Sequence, residues 1–157
     1  MNLRFLSPFL LAMFAFGCSS DPTPMSGTDA AADAPAADAS GPSGEMLVMM
    51  FGCRNCHQSM NAADGVLSGQ TMPRPNTMAY GSNLTPHMTT GIGGWTEDQV
   101  VRAIREGMDE GGRSLCRTMP RYGMAPANMS EETARVIARY LRSLPAVDRM
   151  IPASTCP

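Results

Sequence analysis

The sequence predicts an all-α fold, with three or more helices joined by long loops. Three observations lead there. Two stretches, Trp95–Gly107 and Ser130–Pro145, carry apolar residues at helical spacing between recognisable start and stop signals, and a shorter one precedes them at 43–52. Between the first helix and the second, from Ser59 to Gly94, periodicity is weak and Gly and Pro punctuate the chain. Finally, the first helix leads directly into Cys53-Arg54-Asn55-Cys56-His57.

That last stretch gives the loops something to pack on. Two thiols two residues apart can add to the two vinyl groups of one porphyrin edge, and a histidine directly after them is carried under the ring to bind the iron. Cys53 and Cys56 are therefore the expected covalent anchors of one haem, of the c type, and His57 its proximal iron ligand. Other uses of paired cysteines fit less well. A thioredoxin-like pair needs a βαβ setting that is not visible, and a zinc site needs further ligands that a chain with two histidines hardly supplies. A loop region as long as 59–94 is unusual in a small domain unless its interior is filled, and a large flat apolar group fills it.

The remaining elements follow in chain order. Residues 1–17 read as an export signal: Arg4 supplies the positive start and 5–16 is almost wholly apolar, too short to span a bilayer comfortably. Ala15-Phe16-Gly17-Cys18 resembles the lipobox of bacterial lipoproteins, so Cys18 is the expected lipidation site; ordinary cleavage without a lipid is the alternative. Residues 18–43, rich in Ala, Ser, Pro and Asp, bury too little apolar surface to fold and are expected to form a disordered tether. The folded domain is expected over 44–157. Its first helix should present Met46, Leu47, Met50 and Phe51 on one stripe, with Gly52 ending it. In the second, Thr96 and Gln99 form a capping box, Val100, Val101 and Ile104 make the buried stripe, and Gly107 closes it. Trp95 is placed to pack at the haem edge, with its indole N–H available to a propionate. In the last helix Ser130 is the cap, Val136, Ile137, Tyr140, Leu141 and Leu144 repeat at helical spacing, and Pro145 is the stop.

Composition excludes some functions. With 12 basic residues, all arginine, against 14 acidic ones, the chain has a net charge of −2 and no feature of a nucleic-acid binder. Two histidines exclude most multi-haem arrangements. Of five cysteines, three are accounted for by lipid and haem. The remaining pair, Cys116 and Cys156, is expected to form a disulfide in an oxidising compartment, closing a loop of about 41 residues and contributing about 3–4 kcal/mol.

Several stretches together resemble the class I mono-haem cytochromes c, in particular the cytochrome domains of membrane-associated alcohol and aldehyde dehydrogenase complexes. They are Asn83-Leu84-Thr85-Pro86, Thr90-Gly91-Ile92-Gly93-Gly94-Trp95-Thr96, Ala103-Ile104-Arg105-Glu106-Gly107, Met119-Pro120, and Tyr140-Leu141-Arg142-Ser143-Leu144-Pro145. The resemblance spans roughly Glu45 to Val147, in a single copy. It implies the class I cytochrome c fold around one covalent haem c, and a distal iron ligand on the loop before the last helix. Met119 matches the Met-Pro pattern and Met124 is the alternative; His87, which could give bis-histidine ligation, is expected to face solvent. The implied function is electron transfer rather than enzymatic catalysis. The partners would be a dehydrogenase-type donor and a respiratory acceptor, at the periplasmic side of a bacterial membrane to which the lipid anchors the chain. A soluble periplasmic carrier is the alternative location. A haem enzyme or a sensor of gases or peroxide, with an open iron site, is the alternative function.

Overall fold

The structure, a computed structural model, describes residues 41–156. The signal segment, Cys18 and most of the expected tether lie outside the described residues. Among the described residues four α-helices follow one another, α1 (Gly44–Met50), α2 (Arg54–His57), α3 (Glu97–Glu106) and α4 (Glu131–Ser143), with one 3-10 turn at Ala62–Asp64. Among the described residues there is no strand, only an isolated antiparallel bridge between Met108 and Ser114. The described residues are helical and loop-rich, compatible with the all-α class that the sequence predicts.

Helix α4 is the hub, packing against both α1 and α3. Its Ala134, Ile137, Ala138 and Leu141 are buried, facing Leu47 and Val48 of α1 and Val100, Val101 and Ile104 of α3. Each fully buried Leu, Ile or Val contributes about 1.5–3 kcal/mol. The apolar stripe of α1 differs from the expected one. Leu47, Val48 and Phe51 join the core, while Met46 and Met50 stand about half or more exposed. The physical reason is Gly44: it lies against Tyr140 and the Val136 carbonyl, so α1 meets α4 through the face that Gly44 and Val48 share. Tyr140 thus packs on the first helix, as expected from its place on the α4 stripe.

Both longer helices begin as their sequences prescribe. Thr96 Oγ1 accepts from Gln99 N at 3.2 Å and Gln99 Oε1 accepts from Thr96 N at 2.7 Å, a complete capping box. Ser130 Oγ accepts from Thr133 N at 3.1 Å. An ion-pair lattice joins the two helices: Arg135 reaches Glu97 at 3.3 Å, Asp98 at 2.8 Å and Glu131 at 2.7 Å, and Arg139 reaches Glu97 at 3.6 Å. These pairs are exposed enough to fix orientation more than to add stability.

Candidate haem site

The attachment turn is aimed by the end of α1. Gly52 has φ +69°, the left-handed conformation that closes a helix; its N–H donates to Met49 O and that of Cys53 to Val48 O, both at 3.0 Å. This double cap reverses the chain and starts α2 at once, so Cys53, Cys56 and His57 share one short turn of helix. Neither cysteine is disulfide-bonded. Burial, with a smaller contribution from neighbouring Cys56, pushes the Cys53 thiol up to about 11. Redox-active CxxC pairs have depressed thiol pKa values, the opposite of the direction at Cys53.

His57 is buried, and its Nδ1 donates to the Ser82 carbonyl at 2.8 Å. That bond fixes the tautomer, leaving the Nε2 lone pair to bind a metal. Burial lowers the His57 pKa, with the Ser82 bond opposing it, and the neutral imidazole is the ligating form. Ser82 reaches His57 because its neighbour Gly81 lies on the peptide of Cys56, with no room there for a Cβ. Gly69 N donates to His57 O at 2.8 Å, and Gln58, which sequence reasoning leaves without a role, bonds Gly65 O at 3.0 Å and Leu67 N at 3.0 Å. Loops are thereby gathered around the proximal turn.

A cavity of about 480 Å³ opens beside it. Cys53, Cys56 and His57 line it, and so does Met119. Leu84, Ile92, Val100, Ile104, Leu115, Ile137, Leu141 and Ile151 supply apolar walls, and Trp95 and Tyr122 add aromatic ones. Met124 does not line this cavity; it is 59% exposed. His87 is also outside it, but it does not face solvent freely. Its Nδ1 accepts from Thr90 N at 3.2 Å, and lies 2.8 Å from Thr90 Oγ1 and 3.8 Å from Asp148 Oδ1. The threonine three residues on supplies these bonds, which a reading of the lone histidine could not weigh.

One wall of the cavity is the C-terminal segment. Cys116 and Cys156 are joined by a disulfide, their Cα atoms 5.6 Å apart. Thr155 N donates to Met78 O at 3.1 Å and Tyr80 N donates to Ser154 Oγ at 2.9 Å. Residues 150–154, which line the cavity, therefore run between the Met119 loop and the loop that carries Gly81 and Ser82. Asn83 and Thr85, noticed in the sequence only as part of a resemblance, prove to be buried fasteners. Asn83 Nδ2 donates to Val147 O at 2.8 Å, its Oδ1 accepts from Thr85 N at 3.0 Å, and Thr85 Oγ1 accepts from Val147 N at 3.0 Å.

These residues fit a covalently held haem: two unpaired thiols, an imidazole with its second nitrogen already bonded, a thioether on the same cavity, and apolar walls. Among the described residues no cluster of three or more His, Cys, Asp or Glu could hold another metal ion. No helix among them is long and apolar enough to cross a membrane.

No protein-family model matches the chain. Among curated proteins it is similar to the gluconate 2-dehydrogenase cytochrome c subunit of Pantoea cypripedii, 33% identical over 111 residues, which is 71% of this chain and 24% of that protein. The fructose dehydrogenase cytochrome subunit of Gluconobacter japonicus is 27% identical over 114 residues, 73% of this chain and 23% of that protein. A nicotinate dehydrogenase subunit from Pseudomonas putida is 29% identical over 111 residues, 71% of this chain and 9% of that protein. The chain thus spans less than a quarter of the length of these relatives. Site and similarity agree on one conclusion: this domain has a cytochrome c-like relation to a segment of the cytochrome subunits of dehydrogenases.

Proposed function

We propose that this domain is a class I mono-haem cytochrome c that carries single electrons from a dehydrogenase-type donor to a respiratory acceptor. The observation that carries the reading is the shared cavity: Cys53, Cys56, His57 and Met119 all line it. Haem supplies a reversible one-electron iron couple. The chain would do the rest. Cys53 and Cys56 would hold the ring by adding their thiols across its vinyl groups, and the Ser82 carbonyl orients the His57 imidazole. His57 and Met119, which line the same cavity, would both hold the iron and so would leave no open site on it for a substrate. A thioether ligand and the apolar walls would favour the reduced, less charged iron and so a fairly high potential.

The partner class is supported by the relatives, two of which are cytochrome subunits of dehydrogenases. Docking would be small and transient, as suits a carrier that must release each partner. We further read the chain as lipidated at Cys18 on the periplasmic side of a bacterial membrane, with 18–43 as the tether. The support is the lipobox-like Ala15-Phe16-Gly17-Cys18 and a composition that cannot form a core. Incorporation of labelled fatty acid that is lost in Cys18→Ser tests this; an unlabelled wild type contradicts it.

The functional test combines haem staining after denaturing electrophoresis, potentiometry and CO addition to the reduced protein. Covalent haem, a one-electron Nernst response and no rapid CO binding are expected. Rapid CO binding would instead show an open iron site, suited to a haem enzyme or a gas sensor.

A further inference from the structure

Met119 sits on a segment with no regular structure to hold it. Between the Met108–Ser114 bridge and the cap Ser130 the backbone forms turns, among them one in which Met119 N donates to Cys116 O at 2.9 Å. A ligand on such a segment is placed only as firmly as the surrounding backbone. Here four oxygens converge on one side chain. Through one terminal nitrogen, Arg121 donates to Met119 O at 2.9 Å and to Cys116 O at 3.4 Å. Through the other it donates to Leu115 O at 2.9 Å and to Ser114 Oγ at 3.2 Å. The guanidinium lies directly on Gly107, where α3 ends and its dipole favours a cation. None of the ion pairs among the described residues involves Arg121, so its donors serve the loop carbonyls rather than a carboxylate.

We propose that Arg121 is the positioning residue of the distal ligand, folding residues 114–119 around its guanidinium and so fixing where Met119 enters the cavity. This rests on the reading of Met119 as the iron ligand and goes beyond it, because Arg121 acts only through the loop. The planar fork matters. A lysine ammonium carries the same charge but cannot present paired donors to Met119 O and Leu115 O in one plane. Without the fork, part-buried carbonyls lose charge-assisted bonds, and the thioether competes less well with any other ligand for the distal position.

The experiment uses the full-length haem-loaded protein, as wild type, Arg121→Gln, Arg121→Lys and Arg117→Gln. Arg117 is an arginine of the same loop and serves as the control. Two readouts are followed in the oxidised state: loss of the methionine–iron charge-transfer band with rising pH, and affinity for added imidazole. In Arg121→Gln, imidazole should bind about tenfold more tightly and the band should be lost about one pH unit lower, with Arg121→Lys between this and wild type. Arg117→Gln should match wild type. Wild-type imidazole affinity and band midpoint in Arg121→Gln would overturn the proposal, even if that variant melted earlier. Should Arg121→Gln not retain haem, Arg121→Lys decides, because wild-type readouts in that variant overturn the role of the fork. A wild type with no methionine band at any pH would instead refute Met119 ligation itself, and the positioning role would fall with it.

Discussion

Gly81 shows how a residue with no side chain shapes the site. Its backbone lies on the Cys56 carbonyl, and that approach brings Ser82 O to His57 Nδ1 at 2.8 Å. An alanine there must push the loop away from α2, an overpacking that costs about 1–3 kcal/mol. Gly81→Ala should therefore lower the urea midpoint of the haem-loaded protein and loosen the imidazole; an unchanged midpoint and spectrum would contradict the close packing. Asp64 gives a second prediction, in pH. A bond from Ser59 at 2.5 Å and the ion pair with Arg149 hold its carboxyl below the usual carboxylate range. A depressed folded pKa means that the unfolded chain binds the proton more readily. The contribution to stability is thus complete above the ordinary carboxylate pKa, and is lost as pH falls through the lower folded value. Asp64→Asn should flatten the acid limb of stability against pH while leaving its alkaline limb parallel to wild type; identical acid limbs would refute the linkage. Neither residue is legible as important in the sequence. The Ser82 contact uses a backbone carbonyl, which carries no side-chain signal, and Asp64 finds Arg149 across more than eighty positions of chain.

At the scale of elements, what the sequence encodes locally is readable. The cap at Ser130, the Thr96–Gln99 box and the end of α1 at Gly52 depend on neighbours within a few residues, and all are present. The stripe of α1 departs from expectation because which face of a helix is buried depends on its partner. Gly44, small enough to meet Tyr140, turns Val48 inward and leaves Met46 and Met50 outside. The disulfide is the element-scale device that links the two sides of the cavity. It spans 40 residues and ties the Met119 loop to a segment that is also bonded to Met78 and Tyr80. Cys116→Ser/Cys156→Ser should lose about 4 kcal/mol of stability by loop-closure entropy. Because the segment lines the cavity, the double variant should also bind imidazole faster in the oxidised state. Unaltered chemical denaturation would show that the link carries no such constraint.

At the scale of the whole molecule, the long region 59–94 makes sense only around a filled centre. Its fasteners, Asn83 and Thr85 on Val147 and Thr90 on His87, knit loops to one another while Leu84 and Ile92 turn toward the cavity. Cys53, Cys56 and His57 are legible as a candidate site because the proposed haem attachment demands their adjacency in sequence. The proposed distal ligand is not, because a loop could bring either of two methionines to an iron; in the fold Met119 lines the cavity whereas Met124 is exposed. The proposed carrier role depends on that ligand. The most direct measurement is the visible spectrum of the oxidised protein as wild type, Met119→Ala and Met124→Ala. A methionine–iron charge-transfer band that persists in Met124→Ala and vanishes in Met119→Ala, with CO then binding to the reduced Met119→Ala iron, is the expected result. Loss of the band in Met124→Ala alone, or its absence from the wild type, would contradict a six-coordinate carrier built on His57 and Met119.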